Sequence, residues 1–362
     1  MYSLTESLDP LNIALCISGC PIFPSKYKLV NIITRIHSII LLLLLLPILY
    51  VDEAVGINET HPMFVHLIMR LWIFCFLFFA GLFIIQVWRE KSRIRFILQY
   101  LEPTLTSKDH KDIFRYSLLL VLVTTLLPVV WRFVLSLCTS TFSLNQLGSL
   151  FIVFYSLLLS WFSMSVNMYV CILKVVHVSE KNVINRFVKE VTRIQDPKKM
   201  YRLLMKLSNI KKEISDSVSI LPFYCFFYLF VETVATICRH QIVFFDPKSS
   251  AETKSFSIFS LFRSFNDLAL VTYMTFKTDS FCGDSSLKLE KLKESIISRK
   301  DPHDWLFVVN KINESQQFEY QAFGFFKIDR KTLLSFFASF VPLSVLFVQL
   351  IINQTNTNTI PL

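Results

Sequence analysis

Glycine is nearly missing from this 362-residue chain: there are six, against 36 phenylalanines. Glycine supplies positive-φ turns and close backbone approaches, so a chain this poor in it points to helices joined by few tight turns and packed by aromatic rings. Nucleotide-binding and hydrolytic signatures are missing too: no GxxxxGKS/T, GxGxxG, GxSxG or HExxH occurs. The eight cysteines form no CxxC pair and no metal-ligand spacing, and the seven histidines are dispersed. No enzyme, metal or cofactor is expected. Internal repeats are absent, which argues against transporters built from duplicated halves.

What is present is apolar length. Seven segments, at about 30–51, 63–88, 114–137, 147–173, 217–240, 255–276 and 332–352, each reach the ~20 predominantly apolar residues that cross a bilayer as a helix. With 53% hydrophobic content and a mean hydropathy of +0.51, a soluble domain is not expected. The first apolar run is too long for a signal-peptide core and reads as a signal anchor.

The net charge of +10 would suit nucleic acid, but its placement argues for topology instead. Of 37 Lys and Arg, three stand before or early in segment 1 (Lys26, Lys28, Arg35), seven in 89–115, eleven in 174–212 and ten in 277–331. Residues 52–62 carry only the acids Asp52, Glu53 and Glu59, and 138–146 and the tail after Ile352 carry no charge. The positive-inside rule therefore predicts a cytoplasmic N-terminus and an outer C-terminus, the inverse of a G-protein-coupled receptor. Some of these cations are expected to meet anionic lipid headgroups; no nucleic-acid partner is expected.

The cytoplasmic loops are themselves patterned as amphipathic helices. Val178, Val183, Ile184, Phe187, Val191 and Ile194 recur at three- and four-residue spacing, as do Leu203, Leu204, Leu207, Ile210 and Ile214 after Pro197. Leu287, Leu289, Leu292, Ile296 and Ile297 suggest a further helix. Together they predict a helical layer beneath the membrane bundle; a helix lying on the membrane surface is the alternative. Asn58 opens a glycosylation sequon in the first outer loop. Cys138 and Cys238 fall near outer helix ends, where oxidation to a disulfide is one reading and two free buried thiols the favoured one.

Ionisable residues inside apolar segments are costly and are expected to pair or face water. Arg70, Arg132, Glu232 and Arg239 fall in the outer half of the expected topology, and Arg263 and Asp267 nearer mid-membrane. Arg263 and Asp267, four apart, are placed to pair, and Glu232 to take an arginine from segment 2 or 3. Walled by Trp72, Trp131, Phe151 and Tyr155, these charges outline a pocket open to the outside, with Arg70, Arg132, Tyr155, Glu232 and Arg263 as candidate ligand contacts. Interhelical salt bridges and arginines reaching for headgroups explain the same charges structurally. In segment 7, Pro342 interrupts the helix, and Ser339, Leu346, Gln349 and Asn353 form a stripe that could line a water path closed by leucine.

Residues 322–350, AFGFFKIDRKTLLSFFASFVPLSVLFVQL, resemble the C-terminal signature of the arthropod gustatory receptor family, within the insect chemoreceptor superfamily. The family's lead-in is matched by Gly324, Phe325, Phe326, Ile328, Asp329, Leu333 and Leu334, with Arg330 also familiar. The closing motif, Thr-Tyr, five apolar residues and Gln-Phe, falls on Pro342, Leu343, Gln349 and Leu350; only the Gln is kept, which marks a divergent member. Residues 18–24 also resemble the segment that precedes helix 1 in the family.

The resemblance implies an all-α bundle of seven transmembrane helices with inverted topology. It implies a ligand-gated, non-selective cation channel of four subunits, homomeric or shared with other gustatory receptors, in the plasma membrane of gustatory receptor neurons, opened by a small-molecule tastant. By the same resemblance Leu346 is the gate, Gln349 the pore Gln and Leu350 the position after it, in a helix 7 that surrounds the pore. The expected division is a cytoplasmic N-terminal segment at 1–29, a six-helix ligand-binding bundle at 30–276, a cytoplasmic anchor at 277–331, the pore helix at 332–352 and an extracellular tail at 353–362. A metabotropic receptor, or a scaffold or transporter of the same fold, is the competing reading. The cytoplasmic N-terminus opposes the former.

Overall fold

The computed structural model describes residues 3–17, 20–23, 32–34, 36, 39–40, 63–128, 130, 146–190, 196–245, 251–299 and 302–357. Segment 1 (30–51) falls mostly outside them, as do the outer half of segment 3 and Asn58, Trp131, Arg132 and Cys138. Two short helices, α1 (Leu4–Ser7) and α2 (Asp9–Ile17), precede three long elements: α3 (Met63–Leu101), α4 (Ser107–Val121, continuing into a π-helical turn at Leu122–Leu126) and α5 (Gln146–Glu190). Then come α6 (Pro197–Val218), α7 (Ile220–Phe245), α8 (Ala251–Ile297), α9 (Leu306–Gln316) and α10 (Arg330–Thr357). Among the described residues the fold is all-α apart from a two-stranded hairpin, β1 (Gln321–Ala322) with β2 (Phe326–Lys327).

Helix starts follow from capping chemistry. Thr106 and Asp109 form a capping box on α4: the Asp109 amide donates to Thr106 Oγ1 at 3.3 Å and the Thr106 amide to Asp109 Oδ2 at 2.8 Å. On α6, Asp196 accepts from the Lys198 amide at 2.9 Å, and Pro197 fills the first turn, where no amide hydrogen is needed.

At 1.5 Å per residue the 45 residues of α5 span about 68 Å and the 47 of α8 about 70 Å. Each is about twice the ~30 Å of a bilayer's hydrocarbon core, so each has length for a span and a second layer. The junction expected at 276/277 lies inside the unbroken α8. Among the described residues two stretches, Ser160–Lys189 and Pro197–Cys238, are long and apolar enough to cross a membrane.

Helix α5 is the hub. From Ser160 to Leu173 every side chain is buried, with α3, α4, α7 and α8 packed around it, as expected of a helix apolar on all sides. The amphipathic loops form a second core: Ile184 and Phe187 of α5 meet Met200 and Leu204 of α6, Leu289, Leu292 and Ile296 of α8, and Trp305, Val308 and Ile312. Leu287 and Ile297 share that stretch of α8 but are exposed.

The N-terminal segment docks on the bundle. Leu4, Leu8, Leu11 and Leu15 are buried, the Leu4 amide donates to Glu102 at 2.8 Å, and Arg95 donates to the Ile22 carbonyl at 3.0 Å. Asn12 Oδ1 accepts from the amides of both Ile22 and Phe23.

The Gly-Phe-Phe-x-Ile-Asp run acquires a structural meaning. Its Gly324, at φ 76°, turns the β1–β2 hairpin, next to Phe323 at φ 51°. The Phe323 amide donates to the Ser219 carbonyl, which ties the hairpin to the α6–α7 junction. Asp329 then accepts from the Thr332 amide at 2.7 Å in the first turn of α10.

Candidate functional site

Three helices bring a buried charged cluster together. Arg263 of α8 lies 3.7 Å from Glu232 of α7 and 3.7 Å from Asp267 one turn along its own helix. All three side chains are at most 6% exposed. The Tyr228 hydroxyl donates to Glu232 at 3.1 Å, the Trp72 indole of α3 donates to the same carboxylate, and Arg263 donates to Tyr228. The guanidinium sits 6.0 Å from the Trp72 ring centre, and Thr236 and Ser264 are hydrogen-bonded alongside at 2.9 Å. Burial this deep makes each charge dependent on its partners.

The expected Arg263–Asp267 pair is present. Arg132 of segment 3 lies outside the described residues, and Glu232 lies against Arg263 of segment 6, an arginine the expectation for Glu232 did not name. The reason is register: α7 and α8 pack so that Glu232 faces the Arg263 turn, which spacing along one helix cannot reveal. Arg70 is exposed on α3. Tyr155 belongs to α5 and Arg239 to α7; their side chains, like Arg132 as a whole, lie outside the described residues. Cys238 is a buried free thiol.

Two features escaped sequence reasoning. Tyr228 carries no charge, although its four-residue spacing from Glu232 puts both on one helix face. The second is a buried polar patch between α4 and α5. Asn167 donates to Thr125 at 3.1 Å and lies 2.9 Å from the Thr124 hydroxyl, and Thr125 lies 3.2 Å from Ser163. Both threonines belong to the π-helical turn, a distortion frequent at functional sites, and nothing in the sequence announces it.

Helix α10 has two unlike faces. Leu333 is buried, and Phe336 packs edge-on against Phe226 and Phe230 of α7, at ring separations of 5.5 and 6.5 Å. On the other side Ser335, Ala338, Ser339, Pro342, Val345, Leu346 and Gln349 are exposed, Leu346 by 50%. Leu350 is on the helix with its side chain outside the described residues. Pro342, which has no amide hydrogen, leaves the Ala338 carbonyl without its helical donor. The charge cluster and the Phe336 contact thus share α7, with Tyr228 and Glu232 on one face and Phe226 and Phe230 on another.

No protein-family model matches the chain, and no curated protein does. Among solved structures it is similar to the insect olfactory receptor OR5 from Machilis hrabei, with a TM-score of 0.65 and 13% identity over 96% of this chain and 98% of that one. The same receptor in complex with eugenol gives a TM-score of 0.58, again at 13% identity, over 97% and 98% of the two chains. At that identity the likeness is one of fold, and it runs end to end: this chain is built on the architecture of an insect olfactory receptor.

Proposed function

We propose that this protein is a chemoreceptor of the insect superfamily, a multi-pass membrane protein that works as a ligand-gated, non-selective cation channel. The observation that carries the reading is the end-to-end likeness to an olfactory receptor; the placement of basic residues by loop supports the inverted orientation. The gustatory assignment rests on the Gly324–Asp329 motif and on Gln349. Four copies, alike or mixed with related receptors, surround a pore lined by the uncovered face of α10. Leu346 forms an apolar ring that excludes water when narrow, with Gln349 one turn away. Leu350 follows at the edge of that face, and residues 277–331 anchor the assembly in the cytoplasm.

The ligand is a small molecule, as eugenol is for OR5, here a tastant. It meets the cluster of Trp72, Tyr228, Glu232 and Arg263, with Arg70, Arg132 and Tyr155 as further candidate contacts. A ligand that takes a hydrogen bond from this cluster shifts α7, and α7 carries the shift through Phe226 and Phe230 to Phe336 of α10. Coupling of this kind needs the ligand to favour one packing of α7 over the other.

The test is a whole-cell recording with a panel of tastants while G-protein signalling is blocked. A rapid ligand-evoked cation current is expected; a response that disappears with the G-protein block refutes the channel reading.

A further inference from the structure

Lys174 of α5 and Lys277 of α8 are half-buried and come to one place from two helices. The Lys174 ammonium lies 5.6 Å from the Tyr116 ring centre and 5.8 Å from that of Phe281; the Lys277 ammonium lies 5.7 Å from that of Tyr273. The Tyr116 and Tyr273 hydroxyls are 2.7 Å apart, so the two cations flank one hydrogen-bonded ring pair. Ring faces hold a cation without neutralising it. Among the described residues, neither lysine has a carboxylate within 4.0 Å.

The surrounding charges leave the site positive. Lys174 feels Lys277 and Lys181 against Asp112 and Asp109. The Asp109 carboxylate is already engaged by the Thr106 amide, the Thr106 hydroxyl and Asn182. Asp284 is shared between Lys288 at 3.8 Å and His177, which stacks on the Phe281 ring, at 3.6 Å. Lys174 and Lys277 are each the first residue after an apolar segment, and Tyr116 stands near the start of a third. All three therefore meet at the headgroup level of the cytoplasmic leaflet.

We propose that Lys174 and Lys277, braced on the Tyr116–Tyr273 pair, bind a phosphomonoester on the headgroup of an inner-leaflet lipid. Such a group carries about −1.5 to −2 charges and three acceptor oxygens near pH 7, which match two ammonium groups of three donors each. Basic pockets between membrane helices on the cytoplasmic side are suited to such headgroups. The site joins α4, α5 and α8, so an occupied site braces the bundle where it meets the cytoplasmic layer. Placement on the inner leaflet rests on the orientation given under the proposed function; the cation pair does not.

The test uses the full chain in phosphatidylcholine nanodiscs doped with a photoactivatable phosphatidylinositol bisphosphate, with labelling read by peptide mass spectrometry. Labelling is expected beside Lys174 and Lys277. It should fall roughly thirtyfold in the Lys174→Gln/Lys277→Gln variant, at about tenfold per 1.4 kcal/mol and about 1 kcal/mol per lysine. The exposed control Lys291→Gln should label normally, and Lys174→Arg/Lys277→Arg should retain most of the signal. Size-exclusion elution checks that the variants fold. Equal labelling of wild type and the double Gln variant overturns the site. Displacement by soluble inositol trisphosphate as efficient as by unlabelled lipid overturns the lipid source in favour of a free phosphate. The assay reads no current, so a silent channel and an empty site are separate results.

Discussion

Arg263→Ala is the perturbation whose outcome the structure constrains most. The guanidinium stands 3.7 Å from each of two carboxylates, Glu232 and Asp267, all nearly without solvent. At an effective dielectric of ~20, each pair is worth about 4.5 kcal/mol before desolvation is counted. Desolvation offsets much of that while the pairs are intact. Removing the arginine alone leaves two buried anions without their common partner, a change that typically costs about 3–5 kcal/mol. For a chain of this size the midpoint should fall by about 5 °C, read by fluorescence-detected size exclusion after heating in detergent. The triple variant Glu232→Gln/Arg263→Ala/Asp267→Asn should recover most of the loss, because no charge remains to strand. Replacing the two carboxylates alone should leave a buried cation and cost about as much as Arg263→Ala. If the single and triple variants melt together, the cluster is not held by its charges and the reasoning fails.

Leu346→Ser should raise basal current without ligand, since a polar ring is harder to dewet, while Gln349→Arg should suppress cation flux by repulsion among the added charges; normal currents in both refute the pore face. For assembly, Leu306→Glu and Leu287→Glu, at positions 56% and 59% exposed, should lower tetramer yield several-fold on native gels while monomers persist. Epitope tags should stain only after permeabilisation at the N-terminus and without it at the C-terminus; surface staining of the N-terminal tag reverses the orientation. Asp109 supplies a pH test. Burial alone would raise its carboxyl, but hydrogen bonds from Thr106 and Asn182, with Lys181 nearby, hold it below the usual aspartate range. A lowered folded-state value stabilises above the unfolded aspartate value and is lost as pH falls through the folded one. The melting-point advantage over Asp109→Asn should therefore be constant at neutral pH and shrink below about pH 4.

Much of the architecture was legible in the sequence because it is local. Apolar runs and their spacing marked helices α3 to α8 and α10, four-residue spacing paired Arg263 with Asp267, and the basic loops foretold a second helical layer with its own core. What lay beyond reach depended on which surface each helix face meets. Periodicity named Leu287, Leu292 and Ile297 alike as members of that layer, yet Leu292 is fully buried within the chain and the other two are exposed. A charge at Leu292 would therefore damage the subunit rather than report on assembly. Glu232 was recognisable as a buried acid, but its partner was set by the register of α7 against α8, which also brought in Trp72 from 160 positions away and the uncharged Tyr228. Likewise, residues 322–350 were readable as a motif, while the hairpin turned by Gly324 needed Ser219 of another element to hold it. Hydrophobic pattern is written along one helix and survives in the sequence. Ion pairing between helices depends on rotation and offset of packed cylinders, and only the assembled tertiary structure decides those.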